Sequence, residues 1–102
     1  MTESPPKVAV ITGGSRGIGR ACAEALARGG WSVAIGYRSS ETDAKETLGA
    51  LETIGVTGLA VAMDVTEEGS VTEAFRRVGD ELGPVTGLVN NAGISMRNTS
   101  SR

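Results

Sequence analysis

The sequence predicts an α/β fold built on a doubly wound parallel sheet. Short apolar runs of six or seven residues alternate with stretches whose apolar residues recur at helical spacing, in the order β-α-β-α-β-α-β. The strand runs are continuously apolar, which is typical of a parallel sheet covered on both faces. Right-handed crossovers then favour the strand order 3-2-1-4, with a switch point between strands 1 and 4. The length of 102 residues suits one small domain and leaves little room for two.

The first β-α-β unit is predicted in residues 7–37. The run KVAVIT at 7–12 is apolar and β-branched, which indicates a strand. A helix is expected from Gly17 to the pair Gly29-Gly30, and a second strand, WSVAIGY, occupies 31–37. The face of this helix predicted to be buried consists of Ile18, Ala21, Cys22, Ala25 and Leu26.

A second helix and a third strand follow. Ser40 is expected to be the N-cap of the helix, with Asp43 in its first turn, and Gly55 is expected to end it. The run GLAVAM at 58–63 is the third strand. The apolar positions of this helix are Ala44, Leu48, Leu51 and Ile54.

A third helix and a fourth strand complete the pattern. Ser70 and Glu73 have the spacing of a capping box, which predicts that the helix opens there, and Gly83-Pro84 closes it. The run VTGLVN at 85–90 is the fourth strand. The predicted buried face of the helix consists of Val71, Ala74, Phe75, Val78 and Leu82.

Composition excludes several classes of function. The chain has 102 residues and a net charge of -2, without a basic stripe, which argues against a nucleic-acid partner. It has no histidine and a single cysteine, Cys22, which excludes a Cys–His nucleophile pair, a histidine metal site and an internal disulfide. No apolar run approaches the roughly 20 residues of a membrane helix, and the start is unlike a signal peptide. We therefore expect a cytoplasmic protein without a membrane partner and without a metal.

The segment TGGSRGIG, residues 12–19, leaves the first strand and enters the first helix. A helix N-terminus offers unpaired N–H groups and a partial positive charge, which suit a phosphate group. Gly13 is expected to make the turn, Gly17 to allow close backbone approach and Gly19 to let the helix pack on the sheet. Ser15 and Arg16 add a hydroxyl and a cation. The alternative is a turn with a purely structural role.

The spacing is that of neither G-x-G-x-x-G nor a P-loop, but it has the form TGxxxGxG. A second motif, NNAG at 90–93, follows the fourth strand. Together the two motifs resemble the short-chain dehydrogenase/reductase family, and the likeness is closest to the NADPH-dependent β-ketoacyl-carrier-protein reductases. The resemblance covers 7–93, which we interpret as a Rossmann-type NAD(P)-binding half-domain. Residues 1–6 are expected to be disordered, and 94–102 to be a polar tail cut short.

The resemblance also implies a cofactor. In the family, an acidic residue at the end of strand 2 favours NAD. Here Tyr37 stands in that place and is followed by Arg38 and Ser39, which suits the 2′-phosphate of NADP(H) and makes NAD the weaker alternative. Arg38 could instead be a solvated loop charge.

The remaining cofactor positions follow strands 3 and 4. The resemblance places Asp64 and Val65 around the adenine, although Asp64 could instead cap the segment that follows it. It implies that Ile18 belongs to the phosphate loop and that Asn91, Ala92 and Gly93 lie along the cofactor ribose. Asn90 is expected to be structural, bonding between neighbouring strands.

The catalytic residues of the family find no match in this chain. The family transfers hydride to or from a carbonyl with a tyrosine and a lysine four residues later, a serine and an asparagine. The only tyrosine here is Tyr37, and Glu41 stands four residues after it. We therefore interpret the chain as the cofactor half of a reductase, inactive alone. A noncatalytic nucleotide sensor and a fragment completed by a second chain or by homo-oligomerisation stay open. The unpaired outer edge of strand 4 and the uncovered part of the sheet are expected to make the isolated chain marginally stable, oligomeric or prone to aggregation.

Overall fold

The computed structural model describes residues 7–13 and 17–90, and the predicted alternation of strands and helices is present throughout them. Predicted boundaries differ from the observed ones by no more than two residues, except at the start of the third helix. The elements are β1 (Val8–Thr12), α1 (Gly17–Arg28), β2 (Ser32–Tyr37), α2 (Glu41–Ile54), β3 (Gly58–Ala62), α3 (Glu68–Glu81) and β4 (Gly87–Asn90).

The four strands form one parallel sheet in the order β3-β2-β1-β4, which confirms the predicted topology. In the register of β1, Thr12 lies opposite Gly36 on one side and Asn90 on the other. Tyr37 pairs with Ala62 at the end of β3. The strands therefore end nearly level, and their carboxyl ends form one edge where loops from all four can meet.

Helices pack on both faces of the sheet, as the continuous apolar strands predict. Alternate residues of β1 point to opposite faces: Val10 belongs to the cluster beneath α3, and Ile11 to the cluster beneath α1 and α2. Val78 of α3 and Leu51 of α2 are completely buried against these two clusters. None of the helices in the described part of the chain is both long and apolar enough to cross a membrane.

The buried face of α1 differs from the predicted one. Gly19, Ala23 and Ala27 are buried, whereas the exposed fraction of Ile18 is 66%. Of the other predicted positions, Cys22 and Leu26 are partly buried against the core, while Ala21 and Ala25 are exposed. Alanines occupy several sides of this helix, so apolar spacing alone does not fix which side faces the sheet. The smallest residues at i, i+4 and i+8 are the ones that let the helix backbone approach it.

The predicted capping box at the start of α3 is wrong. The helix begins at Glu68, and its N-cap, Glu67, makes no side-chain capping bond. Ser70 lies in the first turn, where its Oγ accepts a hydrogen bond from the N–H of Asp64 at 2.9 Å. The Ser70 hydroxyl thus joins the loop that follows β3 to the first turn of α3, and it does not cap the helix.

The ends of α2 agree with expectation in position. Ser40 is the N-cap residue, although it makes no side-chain capping bond. Gly55 ends the helix in the left-handed conformation, with φ of 107°, and its N–H donates to the carbonyl of Leu51. Glycine is favoured there because a Cβ is strained at positive φ.

Candidate functional site

The carboxyl ends of β1, β2 and β3 bring the predicted ligand-binding segments to one edge of the sheet. In open parallel sheets, ligands bind outside this edge, at the point where the strand order reverses. That point lies between β1 and β4 here, because β2 and β3 extend the sheet on one side of β1 and β4 lies on the other. The described loops at this edge begin at Gly13, Arg38 and Met63.

Gly13 and Gly17 flank the first of these loops, and both have backbone conformations that L side chains rarely adopt. Their φ angles are 69° and 65°. The N–H of Gly13 donates to the carbonyl of Gly36 at 2.8 Å, which joins Gly13 to the end of β2. A Cβ built on Gly17 would meet no atom of the described residues, 7–13 and 17–90, within 4 Å, so the space above Gly17 is open on their side. An exposed, side-chain-free backbone at the start of a helix fits a phosphate group.

The other residues of the predicted phosphate loop have different environments. Gly19 is buried in α1, which is consistent with the packing role expected of it. Ile18 is largely exposed beside the open space at Gly17. Ser15 and Arg16 lie outside the described residues.

Arg38 immediately follows β2, with 72% of its side chain exposed. Ser39 is also exposed. The segment from Tyr37 to Ser40 contains no carboxylate, so the only charge that it places at this edge is positive. Arg38 Nε lies 3.8 Å from Asp64 Oδ2, an ion pair that spans the loops after β2 and β3.

Asp64 is held by hydrogen bonds to its side chain and to its backbone. Its Oδ1 accepts from the N–H of Thr66 at 3.0 Å and from Thr66 Oγ1 at 2.6 Å. Its own N–H donates to Ser70 Oγ. The hydrogen bonds from the Thr66 hydroxyl and N–H, aided by the Arg38 guanidinium, hold the pKa of Asp64 below its usual value. Oδ1 of Asp64 therefore caps the following segment, as the alternative prediction stated, while Oδ2 faces Arg38.

Asn90 ends β4 and joins it to β1. Thr12 Oγ1 donates to Asn90 Oδ1 at 3.1 Å, across the two strands at the switch point. This confirms the prediction that Asn90 bonds between neighbouring strands, and it identifies Thr12 as the partner that the sequence did not reveal. Asn91, Ala92 and Gly93 lie outside the described residues.

An open apolar pocket of about 220 Å³ adjoins the site on the α3 side of β4. Val65 contributes to its wall and is 46% exposed, and Leu88 of β4 is 57% exposed. The sequence predicted Val71 and Phe75 on the buried face of α3, but in the structure both are only partly buried and line this pocket. Its lining consists of Thr12, Met63, Val65, Val71, Phe75, Leu88 and Asn90.

Comparison with known proteins gives one consistent family. The model of the short chain dehydrogenase family matches residues 7–102. General stress protein 39 of Bacillus subtilis is 48% identical over 87 residues, which make up 85% of this chain and 30% of that protein. The 3-oxoacyl-(acyl-carrier-protein) reductase of Vibrio cholerae is 43% identical over 96 residues, 94% of this chain and 38% of the reductase.

A shorter relative and a solved structure agree with this result. The short-chain dehydrogenase/reductase homolog YusS of Bacillus subtilis is 36% identical over 89 residues, 87% of this chain and 82% of that protein. The structure of a double mutant of a Serratia marcescens short-chain dehydrogenase/reductase superposes with a TM-score of 0.83 at 38% identity. That match covers 87% of this chain and 36% of the Serratia chain. The chain thus spans 30% and 38% of the lengths of the first two relatives.

Proposed function

Because this chain belongs to the short-chain dehydrogenase family, we propose that it is the NADP(H)-binding portion of an oxidoreductase acting on carbonyl or alcohol groups. When bound, the nicotinamide supplies or accepts the hydride, and the residues of this chain bind and orient the cofactor. One observation carries the proposal: Gly17, with its accessible backbone, and the exposed Arg38 lie at the same edge of the sheet. No acidic residue accompanies Arg38 in the segment from Tyr37 to Ser40.

The glycine turn supports a pyrophosphate site. At Gly17 the backbone is accessible and lacks a Cβ, and the positive end of α1 begins there. Gly13, the residue with which the turn begins, is hydrogen-bonded to the end of β2. The residues proposed for the pyrophosphate are Gly13, Ser15, Arg16, Gly17, Ile18 and Gly19, with Asp64 and Val65 proposed for the adenine and Asn91, Ala92 and Gly93 for the ribose.

Arg38 supports NADP(H) over NAD(H). A guanidinium forms charge-assisted hydrogen bonds with a phosphate, whereas a ribose 2′-hydroxyl gains little from it. The residue that would favour NAD, an Asp or Glu at the end of β2, is replaced by Tyr37. Among the described residues, Arg38 forms an ion pair with Asp64, and this pairing partly neutralises the negative charge of the Asp64 carboxylate.

Titration with both nucleotides tests this preference. Replacement of Arg38 by Gln should weaken NADPH binding about tenfold, because one charge-assisted bond is lost, and should change NADH binding less than about twofold. The matched control is Arg77→Gln on α3, which removes an equal charge from an exposed ion pair with Glu81. Equal losses of NADPH and NADH in Arg38→Gln would contradict the assignment, and so would an equal loss of NADPH in the Arg77 control.

A named relative indicates a class of substrate. The Vibrio relative is by its name a reductase of 3-oxoacyl groups on acyl-carrier protein, so we propose 3-oxoacyl thioesters as the first substrates to test. Because Glu41 and not lysine stands four residues after Tyr37, the proposal also states that the 102-residue chain alone does not turn them over.

The absence of a Tyr-x-x-x-Lys sequence favours one second candidate, a nucleotide-binding module without hydride chemistry. Both candidates bind NADPH, and they differ in what completes them. If the chain is part of a reductase, the coding DNA after the Arg102 codon, read in all frames, should contain a serine followed by Tyr-x-x-x-Lys. NADPH binding without any such segment, in the same DNA or in a co-purifying chain, would favour the noncatalytic module.

A further inference from the structure

The two oxygens of the Asp64 carboxylate have different environments. Oδ1 accepts both hydrogen bonds from Thr66, one from its N–H and one from its hydroxyl. Oδ2 faces Arg38 Nε at 3.8 Å, too far for a direct hydrogen bond. One oxygen is therefore committed to the turn, and the other retains acceptor capacity at the edge of the sheet.

We propose that Thr66 is a positioning residue that fixes the Asp64 carboxylate with Oδ2 directed to the nucleotide and to Arg38. The inference rests on the proposed NADP(H) site. It assigns to Thr66, which is exposed and has no place in either glycine-containing motif, a role exerted entirely through Asp64.

The physical argument is preorganisation. The terminal torsion of an aspartate is soft, so a partly exposed carboxylate ordinarily samples many orientations. Two donors from one residue converge on Oδ1 and restrict this rotation. Ser70 fixes the other end of the residue by accepting the N–H of Asp64 from the first turn of α3. A ligand then does not bear the entropy cost of ordering the side chain when it binds.

Fixing Asp64 has a consequence for both kinds of nucleotide. An adenine amino group is a donor, and Oδ2 is the acceptor that the geometry leaves for it. Loss of the Thr66 hydroxyl should therefore weaken NADPH and NADH alike, unlike the loss of Arg38, which is expected to affect NADPH alone.

Thr66→Val and Thr66→Ser, made in the full 102-residue chain, test this inference. Valine has nearly the shape of threonine but lacks the hydroxyl, and serine retains it. We expect Thr66→Val to weaken NADPH and NADH by the same factor, about three- to tenfold, and Thr66→Ser to bind like the wild type. In the Asp64→Ala background, Thr66→Val should have no further effect on either ligand, because the side-chain oxygens through which it acts are gone.

A second readout does not depend on a nucleotide. Carbon-13 NMR titration of the Asp64 carboxyl should show a higher pKa in Thr66→Val than in the wild type, and an unchanged pKa in Thr66→Ser. A wild-type chain that binds neither nucleotide overturns the proposed function. A wild type that binds NADPH, with Thr66→Val equal to it in affinity or in the pKa of Asp64, overturns the positioning role alone. Equal impairment by serine and valine also overturns it.

Discussion

Replacement of Gly17 by alanine separates the structural role of the phosphate turn from its binding role. With φ at 65°, Gly17 has the left-handed conformation, which costs an alanine roughly 1–2 kcal/mol. The added Cβ meets no atom within 4 Å in the part of the chain that the structure describes, so these residues add no steric term in the chain without ligand. The free energy of unfolding should therefore fall by about 1–2 kcal/mol and no more.

The effect on ligand binding should be larger than this loss of stability can explain. The Cβ would extend into the open space that we assign to the pyrophosphate, and it would hold a phosphate away from the N–H groups at the start of α1. We expect NADPH binding to weaken by at least about tenfold, equivalent to about 1.4 kcal/mol. NADH should lose as much, because both ligands share the pyrophosphate.

Gly55→Ala is the matched control. Gly55 also has a positive φ, 107°, and also has nothing within 4 Å of a built Cβ, but it ends α2 and lies before β3, away from the glycine turn. Urea unfolding and calorimetric titration of both variants give the comparison. The reasoning is refuted if Gly17→Ala binds NADPH like the wild type, or if Gly55→Ala loses as much affinity.

Two further predictions concern packing and acid stability. A Cβ on Gly87 would lie 2.9 Å from Trp31 Cζ3, so Gly87→Ala should lower the free energy of unfolding by about 1–3 kcal/mol in urea, whereas Gly49→Ala, with open space in α2, should be neutral or stabilising. A smaller loss at Gly87 than at Gly49 would contradict the close packing. The pKa of Asp64 is lowered in the folded chain, so the stability that it contributes is present above the unfolded pKa, about 3.9, and is lost as the pH falls through the folded value. Unfolding midpoints measured from about pH 5 to pH 2 should fall less steeply in Asp64→Asn than in the wild type; parallel curves would contradict the shift.

The topology was predictable because it depends on features that the sequence carries locally. Four apolar runs separated by amphipathic stretches allow few arrangements once crossovers are right-handed, and the order 3-2-1-4 was the expected one. The orientation of α1 was not predictable in the same way. Ala23 and Ala27 face the sheet, while Ala21 and Ala25, which are equally apolar, do not. The two pairs of alanines differ only in whether they face the sheet, and this depends on how the helix packs in the folded chain.

The candidate site divides along the same line. The glycine turn and Arg38 could be located because turn residues and strand ends leave a signal in the sequence. The sequence offered capping by Asp64 only as an alternative and did not identify Thr66 as the partner, although in Asp-x-Thr an aspartate often accepts bonds from the residue two positions on. Ser70 was misassigned because the spacing of Ser70 and Glu73 satisfies the capping-box rule equally well in a helix that has already begun.

Direct titration of the wild-type 102-residue chain with NADPH and NADH tests the central proposal most directly. The nicotinamide fluorescence of both ligands is followed under identical conditions. We expect saturable binding of one NADPH per chain. NADH should bind at least about tenfold more weakly, since it offers Arg38 no 2′-phosphate. Absence of saturable binding would contradict the proposed nucleotide site, and equal affinities would contradict the proposed role of Arg38 in selecting NADP(H).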